Sequence, residues 1–410
     1  MNCFACLYTC MALASLNPSI SDKRKAVPPF FVCWSIWSYA ATNNMTPVAK
    51  SLSNNTKKPL MSSIDINEDY IQQLSLNLLN ILLRDHSSKY YAEQQSGHEE
   101  NPDFFRIIWA THDYREMGEA YYFERQITPE LITGTNNRVI MPRVVKNHTL
   151  QNARVRQMAE VFTPAWVCNK QNNLIDEAWF GHMDVFNTER PDHTWETRKD
   201  KIEFPEGKTW RDYIHDPRLE ITCGEAPYLT SRYDASTGVP IPVAQRIGLL
   251  DRKLRVVSEN TETSGEWLKW AKHALQSIYG YEWQGDNLLL ARENLLFDFY
   301  DYYVDKFGKE PLNSSMEHAA YIISWNLWQM DGLKYTIPVS NIDETLLEKY
   351  QQEERRRREE ASHGQFNLFT GTIGEPEENA FENQIPFCVI RNWNKNGDDA
   401  IEKFVKSIKL

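Results

Sequence analysis

Apolar positions along the chain change period several times, and each change marks an element. From Asn67 to Arg84 they fall at Tyr70, Ile71, Leu74, Leu76, Leu78, Leu79, Ile81, Leu82 and Leu83, which predicts a helix with a broad buried face. The polar stretch Ser87–Asn101 has no period and reads as a loop, and Phe104–Thr111 then reads as a strand. Glu116–Asn147 breaks into short apolar runs between Gly and Pro, so strands and turns are expected there. A helix is expected near Gln151–Val161. The Asp-, His-, Pro- and Trp-rich stretch Phe180–Arg218 reads as irregular.

Further on, the pattern becomes regular. Leu219–Thr222 reads as a short strand running into a turn at Gly224, Glu266–Ser277 as a helix, Ile278–Glu282 as a strand, Gly285–Phe307 as a helix and Tyr321–Trp325 as a strand. Strands alternating with helices between residues 219 and 335 predict an α/β layer with parallel strands. Thr345–Ala361 is a charged helix, and its run Glu353-Glu-Arg-Arg-Arg-Arg-Glu-Glu reads as a solvated face laced with ion pairs rather than a phosphate-binding patch.

The first sixty residues differ from the rest. The apolar run Phe4–Leu16 and the aromatic patch Pro28–Tyr39 are separated by the charged Asp22–Lys25 cluster, and neither reaches the roughly 18–20 residues of a membrane span. A signal peptide would carry basic residues near its start, and this one has none. Met61 opens a plausible capped helix at Ser63-Ile-Asp-Ile-Asn-Glu, so residues 1–60 are expected to be a non-native or disordered extension, with the natural start at Met61 or Met45. Residues 61–150 then form an N-terminal α+β region, and residues 151–410 the main domain.

Composition narrows the class. Fifty aromatic residues (13 Trp, 19 Tyr, 18 Phe) argue against general disorder. The formal net charge of −11 argues against a protein that coats nucleic acid non-specifically, while leaving room for a local basic groove. Four of the seven Cys lie in the first 33 residues and the other three are scattered, so a disulfide framework is not expected and the chain reads as cytoplasmic. Cys3-x-x-Cys6 lacks a second pair at zinc-finger distance.

Three segments carry candidate chemistry. Arg218-Leu-Glu-Ile-Thr-Cys-Gly-Glu-Ala-Pro-Tyr-Leu229 is a strand ending in a small-residue turn, the arrangement that brings backbone N–H groups to a ligand at the carboxyl edge of a sheet; a simple turn glycine fits it equally. Glu282 closes the next strand, where a carboxylate can accept from the two ribose hydroxyls of a nucleoside, or be an ordinary strand-end acid. Asp331 follows the third strand, as an acceptor for an exocyclic amine or as a turn residue.

Taken in order with Phe162-Thr163-Pro164 upstream, these segments resemble the AdoMet-dependent N6-adenine DNA methyltransferases of restriction–modification systems, in the order used by type I modification subunits. The family's Phe-x-x-Pro-like segment opens a helix and covers the cofactor, and Phe162, Thr163 and Pro164 match it. In its first-strand motif, Glu220, Cys223 and Gly224 match, Ala226 replaces the second Gly and Tyr228 takes the aromatic place. The second-strand Gly-x-Glu matches Gly280-Tyr-Glu282, with Ala291-Arg292 on the next helix, and the third-strand Gly-Asp-Ala-Leu corresponds to Met330-Asp331-Gly-Leu333. Residues 155–335 also look like bacterial proteins labelled restriction endonuclease subunit M.

The resemblance implies a Rossmann-like AdoMet-methyltransferase sheet, complete or incomplete, binding S-adenosyl-L-methionine across Glu220, Cys223, Gly224, Glu282 and Asp331 under Phe162. The family's catalytic (Asn/Asp)-Pro-Pro-(Tyr/Phe) motif is missing from the chain. Asn392 and Trp393, at the expected end of a fourth strand, are the candidates for its amide and stacking ring. Seventeen residues follow Trp393, leaving no space for a target recognition domain, so the chain is expected to reach DNA through a partner specificity or restriction subunit. The rival readings are a catalytically inactive scaffold or nucleotide sensor of the same fold, and a Mg²⁺-dependent nuclease using Pro191-Asp192 with Glu206-Gly-Lys208. No Gly-x-x-x-x-Gly-Lys-(Ser/Thr) occurs, so an ATP-driven translocase is not supported.

Overall fold

The computed structural model describes residues 64–146, 163–340, 342–362 and 379–407. The expectations placed on residues 1–60, on Met61, on the helix near Gln151–Val161 and on Phe162 lie outside the described residues. Helices of six or more residues are α1 Glu68–Leu74, α2 Leu78–Leu83, α3 His86–Ser96, α4 Ala165–Phe180, α5 Trp210–His215, α6 Leu249–Asn260, α7 Ser264–Gln276, α8 Gly285–Phe307, α9 Asn313–Asn326 and α10 Glu344–Ser362. Strands are β1 Asn187–Glu189, β2 Trp195–Thr197, β3 Arg218–Glu220, β4 Ile278–Glu282, β5 Leu327–Gln329, β6 Val389–Arg391 and β7 Ile401–Lys403.

The chain is a mixed α/β protein whose centre is a small parallel sheet in the order β3–β4–β5. Glu220 pairs with Gly280 and Glu282 with Gln329, so the three strands point the same way and share one carboxyl edge. Helices α6 and α7 connect β3 to β4, and α8 and α9 connect β4 to β5. On one face Ile278 and Leu327 join the main core with Leu288, Leu295, Ala320 and Ile323. On the other face Tyr281, Trp328 and Met330 meet Cys388, Ile390 and Phe404, supplied by the antiparallel β6–β7 hairpin.

α8 is the spine of the fold. It is buried on nearly every side as far as Tyr303, and Asp286, Asn287, Arg292, Glu293, Asn294 and Asp298 are buried along with its Leu, Phe and Tyr side chains. Gly308 ends it in the left-handed conformation, its N–H donating to the Val304 carbonyl. Its Arg292 is fully buried and donates to the carbonyls of Leu82, Arg84, Ser324 and Leu327, tying α2, α9 and β5 to one side chain. Burial lowers that guanidinium to about 9.

Several local expectations are corrected. Asn67–Arg84 is two helices, because the chain turns at Ser75, whose N–H donates to the Ile71 carbonyl. Of the expected loop Ser87–Asn101, only residues 97–101 are irregular, because Asp85 caps α3 by accepting from the N–H groups of Ser87 and Ser88 and the helix runs to Ser96 before Gly97 ends it. Phe104–Thr111 forms isolated bridges to Arg84 and Gln126 instead of a ladder. Tyr321–Trp325 is the last turn of α9, and the third strand begins only at Leu327. The strand of residues 389–391 is not a fourth member of the parallel sheet; it pairs with β7. Among the described residues no helix is long and apolar enough to cross a membrane.

Candidate functional site at the carboxyl edge of the sheet

β3 ends at Glu220 and the chain turns sharply. Thr222, Gly224 and Ala226 all take positive φ (46°, 55° and 62°), a conformation costly for residues with a Cβ and most so for a β-branched one. Two carboxyl groups hold this strained turn. Glu282, from the end of β4, accepts the Gly224 N–H at 2.8 Å and the Gln284 N–H at 3.2 Å. Glu220 accepts the N–H groups of Tyr228 and Leu229 at 3.4 and 3.2 Å. The Cys223 N–H donates to the Tyr281 carbonyl at 2.9 Å, closing the turn onto the central strand.

Burial separates the groups of the turn into supports and an accessible point. Glu220 and Cys223 are 4% and 2% exposed. Burial pushes the Glu220 carboxyl well up, against the two N–H groups that favour its charge, and pushes the Cys223 thiol well up, so that thiol is a packing group and not a nucleophile. Gly224 is half-buried, and a Cβ built on it meets nothing within 4 Å, so open space lies directly over the turn.

The remaining sequence candidates divide between two edges. Asp331 lies just past β5 at the same carboxyl edge, where its Oδ1 accepts from the N–H groups of Leu333 and Lys334 at 2.9 and 3.1 Å, the geometry of an acid that shapes its own turn. Thr163 and Pro164 lead into α4, whose Ala165 N–H donates at 2.8 Å to Asp234, on the segment that leaves the Gly224 turn. Asn392 and Trp393 sit at the opposite end of the strands. Trp393 Nε1 donates at 2.8 Å to Asn326, immediately before β5, and Asn326 in turn donates to the carbonyls of Leu275 and Ile278. Asn392 donates to Glu402 at 3.0 Å. Both line a cavity of about 310 Å³ with His215, Ser277 and Tyr279. The length of β4 from Ile278 to Glu282, about 13 Å, therefore separates the two proposed catalytic side chains from the Gly224 turn.

Sequence reasoning missed what packs over the carboxyl edge. The Ile108 N–H donates to the Gln329 side-chain oxygen and the Gln329 amide donates back to the Ile108 carbonyl, both at 2.8 Å, so the N-terminal region is bolted to the end of β5. The Gly285 N–H donates to the Trp109 carbonyl at 3.1 Å. Beside this contact, buried Asp286 accepts from Tyr114 at 2.7 Å and from Lys146 at 3.3 Å. Two turns along α8, Glu293 is 1% exposed, as is Glu68 of α1, and among the described residues none of their four carboxyl oxygens has a hydrogen-bond partner. Burial raises Glu68 to about 9 and pushes Glu293 well up, aided by the repulsion of Glu68 on Glu293. The legible signal was Asp286 and Glu293, seven apart on one face of a helix that carries Asn287, Arg292, Asn294 and Asp298 among its Leu, Phe and Tyr residues.

Among the described residues no hydrogen bond or ion pair joins the nuclease candidates Asp192 and Lys208. Asp192 accepts from Thr194 in a hairpin turn, whereas the Lys208 ammonium donates to the Trp179 carbonyl at 2.8 Å and lies over the Trp179 ring. Among the described residues, no group of three or more His, Cys, Asp or Glu side chains has the arrangement of a metal site. Comparison with protein-family models, with curated proteins and with solved structures finds no match to this chain.

Proposed function

We propose that this chain is an AdoMet-binding, methyltransferase-like modification subunit directed at DNA adenine within a restriction or phage-defence system. The observation that carries the reading is the Glu282–Gly224 hydrogen bond, which joins the first-strand turn to the second-strand acid in a sheet of three parallel strands in chain order. In doubly wound α/β folds, nucleoside ligands lie at this carboxyl edge, against the first turn and the second-strand acid. Gly224, Glu282 and Asp331 would hold the cofactor, with Thr163 and Pro164 leading into the helix beside it. No atom lies within 4 Å of the point where a Gly224 Cβ would stand, which leaves the turn open to approach. Bound AdoMet would supply an activated methyl group. Titration calorimetry tests the reading: saturable AdoMet binding by the wild-type chain supports it, and absence of heat at millimolar ligand removes it.

A second reading, a binding-only scaffold or nucleotide sensor of the same fold, is favoured by one observation. Asn392 and Trp393, the residues nearest in type to the family's catalytic amide and ring, belong to the opposite edge and are engaged with Glu402 and Asn326. Transfer of tritium from labelled AdoMet to adenine in DNA separates the two. AdoMet binding without transfer, with partner subunits supplied, supports the scaffold; transfer supports the modification enzyme.

A further inference from the structure

The β1–β2 hairpin and α6 enclose a groove of about 640 Å³ whose walls include Arg190, Arg198, Lys199, Arg246 and Arg255. A smaller hollow of about 200 Å³ shares Arg190 and Trp195 with it and adds Lys170, Trp166 and His193. Acids share these walls, Glu196, Asp251, Glu259 and Asp305 in the larger groove and Glu189 in the smaller, so what counts is which cations the acids leave uncommitted. The cations are of two kinds. Arg246 pairs with Asp298 and Asp301 at 2.6 Å, and Arg255 with Glu259 at 2.8 Å, so these two build the floor. Among the described residues Lys170 and Arg198 make no side-chain hydrogen bond or ion pair, and Lys199 makes none but acts electrostatically on Glu196. Arg190 pairs at 2.7 Å with Glu196, both more than half exposed, an arrangement that a stronger anion displaces at little cost.

Aromatic rings interleave with these cations. Trp166 and His193 stack at 4.0 Å and 18°, with His193 exposed at the hairpin tip, so the stack can be continued on its open side. Trp195 is fixed by donating to the Gln245 carbonyl at 2.9 Å, and it packs on the cluster containing Tyr228, eight residues from Glu220 along the candidate turn. Cations track phosphates, whereas exposed rings stack on bases, and only unpaired bases offer their faces. We propose that this groove binds a single-stranded segment of nucleic acid, with its phosphates on Arg190, Arg198 and Lys199 and a base stacked against the Trp166–His193 pair.

The inference deepens the DNA-directed reading by naming its contact surface, and it does not depend on AdoMet. The test is fluorescence anisotropy of a short labelled oligothymidylate with the full chain at two salt concentrations. Arg198→Glu with Lys199→Glu is expected to weaken binding at least tenfold and to reduce the slope of log affinity against log salt by about 1.4, two phosphates at about 0.7 each for a single strand. His193→Ala is expected to weaken binding about fivefold, because it removes the ring on which a base would stack. No binding by the wild-type chain, equal affinity of the double variant, or tighter binding of duplex or of an acidic peptide overturns the proposal. The variants are surface changes, and unchanged thermal melts establish that they fold. Calorimetry with AdoMet on the same proteins keeps the two readings apart: oligothymidylate binding without AdoMet binding sinks only the cofactor assignment, and the reverse sinks only the groove.

Discussion

Glu282, at the carboxyl end of β4, accepts the backbone N–H of Gly224 at 2.8 Å and so fixes the turn that follows β3. Its other oxygen accepts the Gln284 N–H. Removing the carboxyl leaves both donors without their acceptor in a site where Glu282 is only 8% exposed. Glu282→Ala is expected to cost about 2 kcal/mol of stability, and Glu282→Gln about 1 kcal/mol because one acceptor oxygen remains. Urea midpoints measure both. Equal midpoints for wild type and Glu282→Ala would mean that the turn is held by other contacts.

Gly285 opens α8 against the N-terminal region. A Cβ there would lie 2.0 Å from the Ile108 carbonyl oxygen, a backbone atom itself held by Gln329. Gly285→Ala is therefore expected to destabilise by about 2 kcal/mol or more. Gly265→Ala, in the first turn of α7, is the control of opposite sign: its Cβ meets nothing within 4 Å, and it is expected to stabilise by about 0.5 kcal/mol. Chemical denaturation of the two variants reads the difference.

β4 and α8 were legible to the residue, since an apolar run between Ser277 and Gln284 leaves little choice of boundary and Gly308 stops the helix that follows. Tyr321–Trp325 was misread because Ile-Ile-Ser-Trp has strand composition, whereas Met316, Ala319, Ala320 and Ile323 continue a helical face onto α8 and override it. Glu282 and Gly224 were legible as a strand-end acid and a turn glycine because both are local signals, whereas the hydrogen bond that joins them spans 58 residues. The place of Asn392 and Trp393 was not. Their run looks like one more parallel strand, and its pairing with Ile401–Lys403, together with its seat on Trp328 and Tyr281, is a non-local outcome that no window of sequence contains. The packing of Ile108 on Gln329 is equally non-local, at a separation of 221 residues.

Glu68 and Glu293 make stability depend on pH with a definite sign. The folded-state pKa of Glu68 is raised from 4.5 to about 9, so between those limits the native chain holds a proton that the unfolded chain releases. Stability is fully present below about pH 4.5 from this group and falls as pH rises toward about 9. Glu293 shifts in the same direction by burial. Glu68→Gln removes the proton linkage while keeping shape, and is expected to stabilise the protein by more than about 1 kcal/mol at pH 8 with little change at pH 4.5. Melting curves across that range test it, and parallel curves for variant and wild type would refute it.

Trp393 and Asn392 give the sharpest separation between the two edges of the sheet. Trp393→Phe loses the hydrogen bond to Asn326 but leaves that amide on the Leu275 and Ile278 carbonyls, so a cost of about 1 kcal/mol is expected. Asn392→Ala loses a half-buried bond to Glu402, for a cost of about 0.5–1 kcal/mol. Because both residues line the cavity at the amino ends of the strands, neither change is expected to alter AdoMet affinity, in contrast to Glu282→Ala. Calorimetric titration of the three variants checks this. If Asn392→Ala, still folded at the titration temperature, abolished AdoMet binding, the ligand would have to lie at the amino edge, and the assignment built on Gly224 would fail.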